Sequence, residues 1–165
     1  MDLVTVEAEV LILGAVLRAR GWRIATAESC TGGLIAAVCT SVAGSSDWFE
    51  RGFVSYSNQA KSELLGVSAA FIAAHGAVSE EVACAMAQGA LARAPVQLAV
   101  AVTGIAGPGG AVPGKPVGSV WMALAEARHG TVLARRDVWP GNRAQVREAT
   151  VLAALQALLK AARGT

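Results

Sequence analysis

The sequence is poor in the side chains that build metal sites and disulfide frameworks. It contains only three cysteines, two histidines and three aspartates in 165 residues. The cysteines, Cys30, Cys39 and Cys84, are odd in number and lack CxxC spacing, which argues against a disulfide framework or a zinc site. No His/Cys/Asp/Glu cluster has metal-ligand spacing, so we expect neither a catalytic metal nor a cofactor. Reduced thiols are typical of a cytosolic protein.

The sequence also lacks long hydrophobic runs and a basic stripe. Its mean hydropathy is +0.49, but charged residues or glycines interrupt every candidate for the ~18 apolar residues of a membrane span. The first residues, Met1-Asp2-Leu3, lack the basic region of a secretory signal. The net charge is +2 with scattered basic residues, whereas nucleic-acid binding calls for a basic patch. We therefore predict a soluble, cytoplasmic protein without membrane or nucleic-acid partners.

Aromatic residues make up only 5% of the chain, so its apolar content is mainly Ala, Val and Leu, which suits helices packed closely on a buried sheet. Apolar periodicity and turn residues predict strands over 23–28, 53–56, 98–102, 120–127 and 132–138. The same patterns predict helices over about 4–20, 31–42, 60–65, 69–75, 80–93 and 143–162, and Asn142 with Gln145 predicts a capping box for the last. The prediction is one domain over residues 1–165 with a three-layer α/β/α fold and a mixed sheet.

Two loops that follow predicted strands could carry chemistry. The first, residues 28–33, reads Glu-Ser-Cys-Thr-Gly-Gly before a helix, where free N–H groups could hold an oxyanion or a phosphate. The second, residues 103–110, reads Thr-Gly-Ile-Ala-Gly-Pro-Gly-Gly after the most apolar strand, where open α/β sheets place ligands. An ordinary helix cap explains the first segment equally well, and a mobile surface loop explains the second.

Ser29 in the first loop would need a base to become a nucleophile. Neither histidine, His75 at a helix end or His129 in a hairpin turn, lies in such a loop, so a Ser-His-Asp triad is weakly supported. The chain has three lysines against eleven arginines, and Lys61 and Lys115 lie near strand ends or the glycine-rich loop. A desolvated lysine can act as a base, although a solvated helix lysine accounts for Lys61 as well. Cys30 is a rival nucleophile, because a helix N-terminus lowers a thiol pKa.

The sequence resembles the CinA C-terminal domain family, whose characterised members are nicotinamide-nucleotide amidases. Blocks in family order span nearly the whole chain, and their ordered co-occurrence is far more specific than any one of them. The blocks that carry the resemblance are TAESCTGG at 26–33, GSS at 44–46, FVSYSNQAK at 53–61, LGV at 65–67, HGAVS at 75–79, TGIAGPGG at 103–110, KPVG at 115–118 and PGNR at 140–143.

The resemblance implies hydrolysis of the carboxamide of nicotinamide mononucleotide, without a metal, in pyridine-nucleotide recycling. It implies that Ser29 is the nucleophile, that Lys61 is the general base and that Tyr56 relays or orients the proton. It also implies oxyanion and substrate contacts from Thr31, Gly32, Gly33, Ser46, Asn58, Thr103, Gly104, Ile105, Ala106 and Gly107, and a phosphate contact from Arg143.

Two other functions compete with this prediction. A non-catalytic nucleotide- or phosphate-binding module would use the same two glycine-rich loops and need neither Ser29 nor Lys61. A partner-binding protein is the third possibility, with Trp48 and Trp139 at an interface, although such aromatic residues are more often core. For the amidase we expect the small-molecule substrate as partner and a homo-oligomeric assembly, whose subunit number the sequence does not give.

Overall fold

The computed structural model describes residues 3–164, with side chains described from Val6 onward. The strands are β1 (Ile24–Glu28), β2 (Phe49–Val54), β3 (Leu98–Gly104), β4 (Ser119–Glu126) and β5 (Thr131–Val138). The helices are α1 (Leu3–Arg20), α2 (Leu34–Cys39), α3 (Asn58–Leu65), α4 (Ala69–His75), α5 (Glu80–Ala92) and α6 (Arg143–Arg163), and a 3-10 turn spans Ser45–Asp47.

The five strands form one mixed sheet in the order β2-β1-β3-β4-β5. Strand β1 runs parallel to β2 and β3, while β3–β4 and β4–β5 are antiparallel. The carboxyl ends of β1, β2 and β3 therefore meet at one edge of the sheet. The prediction of an α/β fold with a mixed sheet is confirmed.

The two faces of the sheet differ in side-chain size. On one face Val, Leu, Ile and Met side chains, such as Leu98, Val100 and Val102, pack against α1, α2 and α6. On the other face the strands present alanines, which pack with Val82, Met86 and other residues of α5: Ala25, Ala27, Ala99, Ala101, Ala123 and Ala125. Because alanines leave room for close approach, α5 lies directly on the sheet. Helices on both faces make the three layers that the sequence predicts.

Most of the predicted elements match the structure within a few residues, and two do not. Strand β2 was expected at 53–56 but spans Phe49–Val54, because Ser57 leaves the sheet to cap α3 by accepting from the Ala60 N–H. Helix α2 was expected over 31–42 but spans only Leu34–Cys39. The glycine turn before it delays its start, and Thr40 ends it with its hydroxyl on the Ala36 carbonyl. The Asn142–Gln145 capping box is present.

No helix within residues 3–164 is long and apolar enough to span a bilayer.

Candidate active site

The turn after β1 is built around the carboxylate of Glu28. This side chain is buried and accepts from the Thr31 hydroxyl at 2.6 Å and from the Gly33, Ile35 and Ala36 N–H groups at 3.1, 2.9 and 2.8 Å. A carboxylate at a helix N-terminus satisfies the free N–H groups and complements the helix dipole. The start of α2 is therefore already occupied by a negative charge supplied by the chain itself.

This arrangement corrects one expectation from the sequence. The N–H groups at the start of α2 were expected to hold an oxyanion or a phosphate, but those of Gly33, Ile35 and Ala36 bind Glu28. The Gly32 N–H is also used, because it donates to the Ser29 carbonyl at 3.0 Å. Neither the Cys30 nor the Thr31 N–H takes part in these contacts, and the Cys30 N–H lies beside the sulfur of its own residue. Any oxyanion site in this turn therefore rests on those two donors.

Ser29 and Lys61 meet at the end of β1. The Lys61 Nζ lies 3.0 Å from the Ser29 Oγ, and the exposed fractions of the two residues are 1% for Lys61 and 8% for Ser29. The contact arises because β2 lies beside β1 and only three residues separate the end of β2 from the start of α3. Lys61, on the first turn of α3, then points back toward the exit of β1. The sequence places these residues 32 positions apart, and only the sheet brings them together.

The Lys61 amine has two further neighbours, both backbone carbonyl oxygens. Nζ lies 3.0 Å from the Ser55 oxygen and 3.1 Å from the Tyr56 oxygen. Burial lowers the pKa of Lys61 below its ordinary value. No carboxylate lies within hydrogen-bond distance of Nζ among the described residues. Desolvation without a paired anion favours the neutral amine, which is the form a base requires.

The surroundings of Cys30, the rival nucleophile, disfavour ionisation of its thiol. Burial raises the pKa of its thiol to about 11, and the negative charge of Glu28 acts in the same direction. A thiol with that pKa is almost entirely protonated at neutral pH, and the protonated form is a weak nucleophile. The thiol pKa therefore disfavours Cys30.

A cleft of about 230 Å³ opens over Ser29 and Lys61. It is bounded by the ends of β1 and β3, by the starts of α3 and α6 and by the loop between α4 and α5. The lining residues are Ser29, Cys30, Tyr56, Asn58, Lys61, Ala77, Val78, Thr103, Gly104, Ala106 and Arg143. None of these is acidic, and Arg143 adds a cation at the rim. The cleft therefore suits a small ligand that carries negative charge.

Tyr56 and Arg143 form the rim of this cleft. The Tyr56 side chain is 57% exposed, and its hydroxyl accepts from the Arg143 Nη2 at 3.1 Å. Arg143 also donates from Nη1 to the Gly107 carbonyl at 2.9 Å. Tyr56 touches the Lys61 amine through its carbonyl and not through its hydroxyl. Through Arg143, the Tyr56 side chain thus connects the segment after β2 to the loop after β3.

The structure brings most of the residues predicted for the site to the cleft, but not all of them. Ser46 lies in the turn before β2, beside the amino end of β1, where the Ile24 N–H bonds to the Trp48 carbonyl. It is therefore at the opposite edge of the sheet from Ser29. Thr31 is buried and its hydroxyl bonds to Glu28. Ile105 and Gly107 belong to the loop after β3 but do not line the cleft.

The alternative bases of the sequence analysis also lie elsewhere. The His75 Nδ1 lies 3.5 Å from a carboxylate oxygen of Glu81, and the His129 Nδ1 lies 3.5 Å from one of Glu126. Lys115 does not line the cleft; its amine packs against Gly76, where an added Cβ would lie 3.3 Å away. Of the candidate bases, the structure brings only Lys61 to Ser29.

Four residues that build the site were not predicted from the sequence. Ser55 contributes a carbonyl, Glu28 fixes the turn, and Ala77 and Val78 form a wall of the cleft. The Thr103 hydroxyl donates to the Ala77 carbonyl at 2.7 Å and holds that wall in place. A carboxylate a few residues before a helix is a readable signal of capping, but backbone carbonyls and small apolar wall residues leave no such pattern.

The fold and site define a class: an α/β domain with a buried serine–lysine pair at the carboxyl ends of its parallel strands. The sequence model of the CinA C-terminal domain matches residues 7–162, and the chain belongs to that family. It is 53% identical over 146 residues, 88% of each chain, to the nicotinamide-nucleotide amidohydrolase PncC of Escherichia coli strain K12.

Two further relatives show the range of the family. A CinA-like protein of Mycolicibacterium gilvum is 58% identical over 144 residues, which are 87% of this chain and 34% of that longer protein. The crystal structure of the competence/damage inducible protein CihA from Agrobacterium tumefaciens superposes with a TM-score of 0.90 at 45% identity, covering 93% of each chain. The family membership that the sequence predicts is confirmed.

Proposed function

We infer that this protein is a nicotinamide-nucleotide amidase, which hydrolyses the carboxamide of nicotinamide mononucleotide to nicotinate mononucleotide and ammonia. The observation that carries the proposal is the 3.0 Å contact between the Ser29 Oγ and the Lys61 Nζ, inside a cleft without acidic lining residues. The name of the Escherichia coli relative at 53% identity supports the choice of substrate.

The surroundings of Lys61 determine which way its lone pair points. A neutral amine has two N–H donors and one lone pair in a tetrahedral arrangement. The Ser55 and Tyr56 carbonyl oxygens can only accept, and both lie within 3.1 Å of Nζ, so they take the two N–H groups. The lone pair is left facing the Ser29 hydroxyl. The two carbonyls thus orient Lys61 as a base for Ser29 without any third charged residue.

The reaction follows from this geometry in two halves. In the first, Lys61 takes the Ser29 proton while Oγ bonds to the amide carbon; Lys61 then gives that proton to the nitrogen, the C–N bond breaks, and ammonia leaves. In the second, Lys61 takes a proton from water while the water oxygen bonds to the same carbon. The bond to Oγ then breaks and Ser29 regains its proton. The net change is amide plus water to acid plus ammonia.

The transition states of both halves carry negative charge on the former amide oxygen. We assign its stabilisation to the N–H groups of Cys30 and Thr31, the donors of the turn that Glu28 leaves unused. Removing one well-placed donor of this kind typically costs about 10²–10³ in kcat.

The rim offers contacts for the rest of the nucleotide. Arg143 is suited to a phosphate, because a guanidinium binds phosphate oxygens in a bidentate manner. Asn58, on the first turn of α3, and Gly104, at the end of β3, line the space between that rim and Ser29. A Cβ on Gly104 would lie 2.6 Å from a methyl group of Val120, so strand packing requires glycine there.

Ammonia release from nicotinamide mononucleotide by the purified protein tests the proposal. We expect turnover by the unaltered protein, loss of turnover by Ser29→Ala with an unchanged fold, and nearly unchanged turnover by Cys30→Ala. Binding of the nucleotide without ammonia release would favour the non-catalytic binding module instead. Turnover by Ser29→Ala together with an inactive Cys30→Ala would assign the nucleophile to the thiol.

We also propose that the protein acts in the cytoplasm and as a homo-oligomer. The three cysteines are free thiols, as is usual in reducing compartments. Strand β5 is the outer strand of the sheet and exposes Leu133 and Val138, a surface that a second copy could cover. Light scattering on the purified protein at several concentrations measures the subunit number, and a monomer throughout would refute the assembly.

A further inference from the structure

Arg147 lies on α6, one turn after Arg143, and contacts the turn that carries Ser29 from outside the cleft. Its Nη2 donates to the Thr31 carbonyl at 3.0 Å. Residues four apart on a helix share a face, so Arg143 and Arg147 approach the site side by side. Arg143 lines the cleft, whereas Arg147 is not among the lining residues. The two arginines therefore have different access to a ligand.

The turn under Arg147 needs external contacts to keep one conformation. Gly32 and Gly33 have φ angles of +60° and +96°, and glycine peptides sample many conformations at little cost. An added Cβ on Gly32 would lie 3.8 Å from the Arg147 Nη2, so the guanidinium packs against this glycine. A rotation of the peptides here would also move the neighbouring N–H groups of Cys30 and Thr31, to which the oxyanion was assigned above.

Thr31 is the residue through which the turn is held. Its hydroxyl binds Glu28 at 2.6 Å, and its carbonyl accepts from Arg147 at 3.0 Å and from the Leu34 N–H at 3.2 Å. These contacts hold Thr31 through its side chain and through its peptide to Gly32, which restricts the backbone rotation that would turn the Thr31 N–H. That N–H is one of the two oxyanion donors assigned above.

The guanidinium is held in an environment that costs stability. Its Nε is enclosed and has no hydrogen-bond partner within the described part of the chain. Buried donors without partners are uncommon and call for an explanation. Its positive charge also acts on the turn, since it is one of the cations that lower the pKa of the Cys30 thiol against the effect of burial. A cation beside the turn favours negative charge on an oxyanion that develops there.

We propose that Arg147 is a positioning residue that holds the Thr31 peptide and thereby aims the oxyanion donors of the nucleophile's turn. The inference rests on the proposed function, because it assumes that Ser29 attacks an acyl carbon. It assigns the two neighbouring arginines of α6 separate tasks: Arg143 binds the substrate and Arg147 serves the chemical step.

Steady-state kinetics of ammonia release separate the two tasks. We expect Arg147→Met to lower kcat about 10²-fold, the usual scale for a misplaced oxyanion donor, with KM changed less than about threefold. Arg147→Lys should recover part of the loss, because lysine retains a positive N–H donor. Arg143→Met should instead act mainly on KM. Arg163→Met, on an exposed position of the same helix, is the matched control and should behave like the unaltered protein.

A second measurement keeps this inference distinct from the proposed function. The rate at which a fluorophosphonate probe labels Ser29 depends on the same donors but not on the nucleotide. If the probe labels the unaltered protein rapidly but no ammonia is released, nicotinamide mononucleotide is not the substrate. The labelling rates of the Arg147 variants then test the positioning role without it. Equal labelling rates and equal kcat for Arg147→Met and the unaltered protein would overturn the positioning role. If Arg147→Met melts well below the unaltered protein, the comparison is made between Arg147→Lys and Arg147→Gln.

Discussion

The two strand exits that form the cleft are built in different ways. The exit of β1 is buried and held by charged side chains, with Glu28 on one side of the turn and Arg147 on the other. The exit of β3 is held mainly by backbone contacts, such as Ile105 N–H to the Ser119 carbonyl at 2.8 Å and Gly118 N–H to the Ile105 carbonyl at 2.8 Å. One charged side chain, Arg143, adds a bond to the Gly107 carbonyl. The outer residues of this exit, from Pro108 to Gly114, are exposed.

This difference matches the demands of an amidase. A nucleophile, a base and oxyanion donors must be placed within a few tenths of an ångström, because a misplacement of about 1 Å can cost 10²-fold in rate. Buried charged contacts supply such precision. A rim that binds the remainder of a substrate can be less rigid, since its contacts affect the reacting atoms only indirectly. We therefore expect changes at the first exit to alter kcat and changes at the second to alter KM.

Replacing Lys61 should have the largest effect at the first exit. Lys61→Met removes the base and should lower kcat by about 10³-fold or more, the scale seen when a member of a nucleophile–base pair is lost. Lys61→Arg should not restore activity, because a guanidinium stays protonated at every working pH. Ammonia release measures both, with circular dichroism to show that the variants fold. Substantial turnover by Lys61→Arg would exclude Lys61 as the base.

The pH dependence of the unaltered protein should report the same lysine. The protonated amine is inactive, so kcat/KM should rise tenfold per pH unit and level off above the Lys61 pKa, which burial lowers from its ordinary value. A thiol nucleophile would give a different profile, because the Cys30 pKa is raised to about 11. A rate that still rises near that pH would point to the thiol, provided that Cys30→Ala removes the rise.

Glu28→Gln should come next in size. The glutamine side chain has the same shape as glutamate, but an NH₂ group replaces one of the two carboxylate oxygens. Buried N–H groups of the turn that bond to that oxygen then lose their acceptor. The expected cost in the free energy of unfolding is about 1–3 kcal/mol, and kcat should fall about tenfold to 10²-fold with little change in KM. Urea denaturation and kinetics measure the two effects. An unchanged kcat would show that the turn keeps its geometry without the carboxylate.

The smallest effect is expected at the second exit. Thr103→Val preserves the shape of the side chain but removes the hydrogen bond to the Ala77 carbonyl, so the wall formed by the α4–α5 loop should loosen. One such bond is worth about 1 kcal/mol, and KM should rise about threefold to tenfold while kcat stays nearly constant. Thr40→Val, whose hydroxyl bonds within α2 far from the cleft lining, is the matched control. A fall in kcat larger than the rise in KM would contradict the division of tasks.

Local patterns made much of the fold predictable. The alternation in β3, Leu98-Ala99-Val100-Ala101-Val102, places large and small side chains on opposite faces, and a strand with both faces buried follows from its apolar run. The Asn142 cap was readable because a capping side chain lies next to the N–H groups that it serves. Strand β2 was misplaced because its residues Glu50, Arg51 and Gly52 carry no strand pattern. Pairing of Arg51 and Gly52 with β1 makes this segment a strand.

The candidate site was predictable only in part. The sequence pointed to Ser29 as a candidate because a short polar side chain before two glycines signals a strand-to-helix turn. The shortage of plausible histidines made Lys61 a candidate base, and the resemblance to a family then selected it. The free N–H groups of α2 were misjudged, because Glu28 reaches across the turn to occupy them. Nothing local in α6 indicated Arg147, whose partner Thr31 is 116 positions away along the chain.

By itself, the sequence determined the layers, the caps and the presence of a reactive turn, because these depend on side chains within a few residues of one another. The tertiary structure alone decided which lysine meets Ser29, how two backbone carbonyls aim its amine, and which N–H groups stay available for an oxyanion. Each of these depends on contacts between segments tens of residues apart, which exist only once parallel pairing of β1 with β2 and β3 brings their carboxyl ends to one edge.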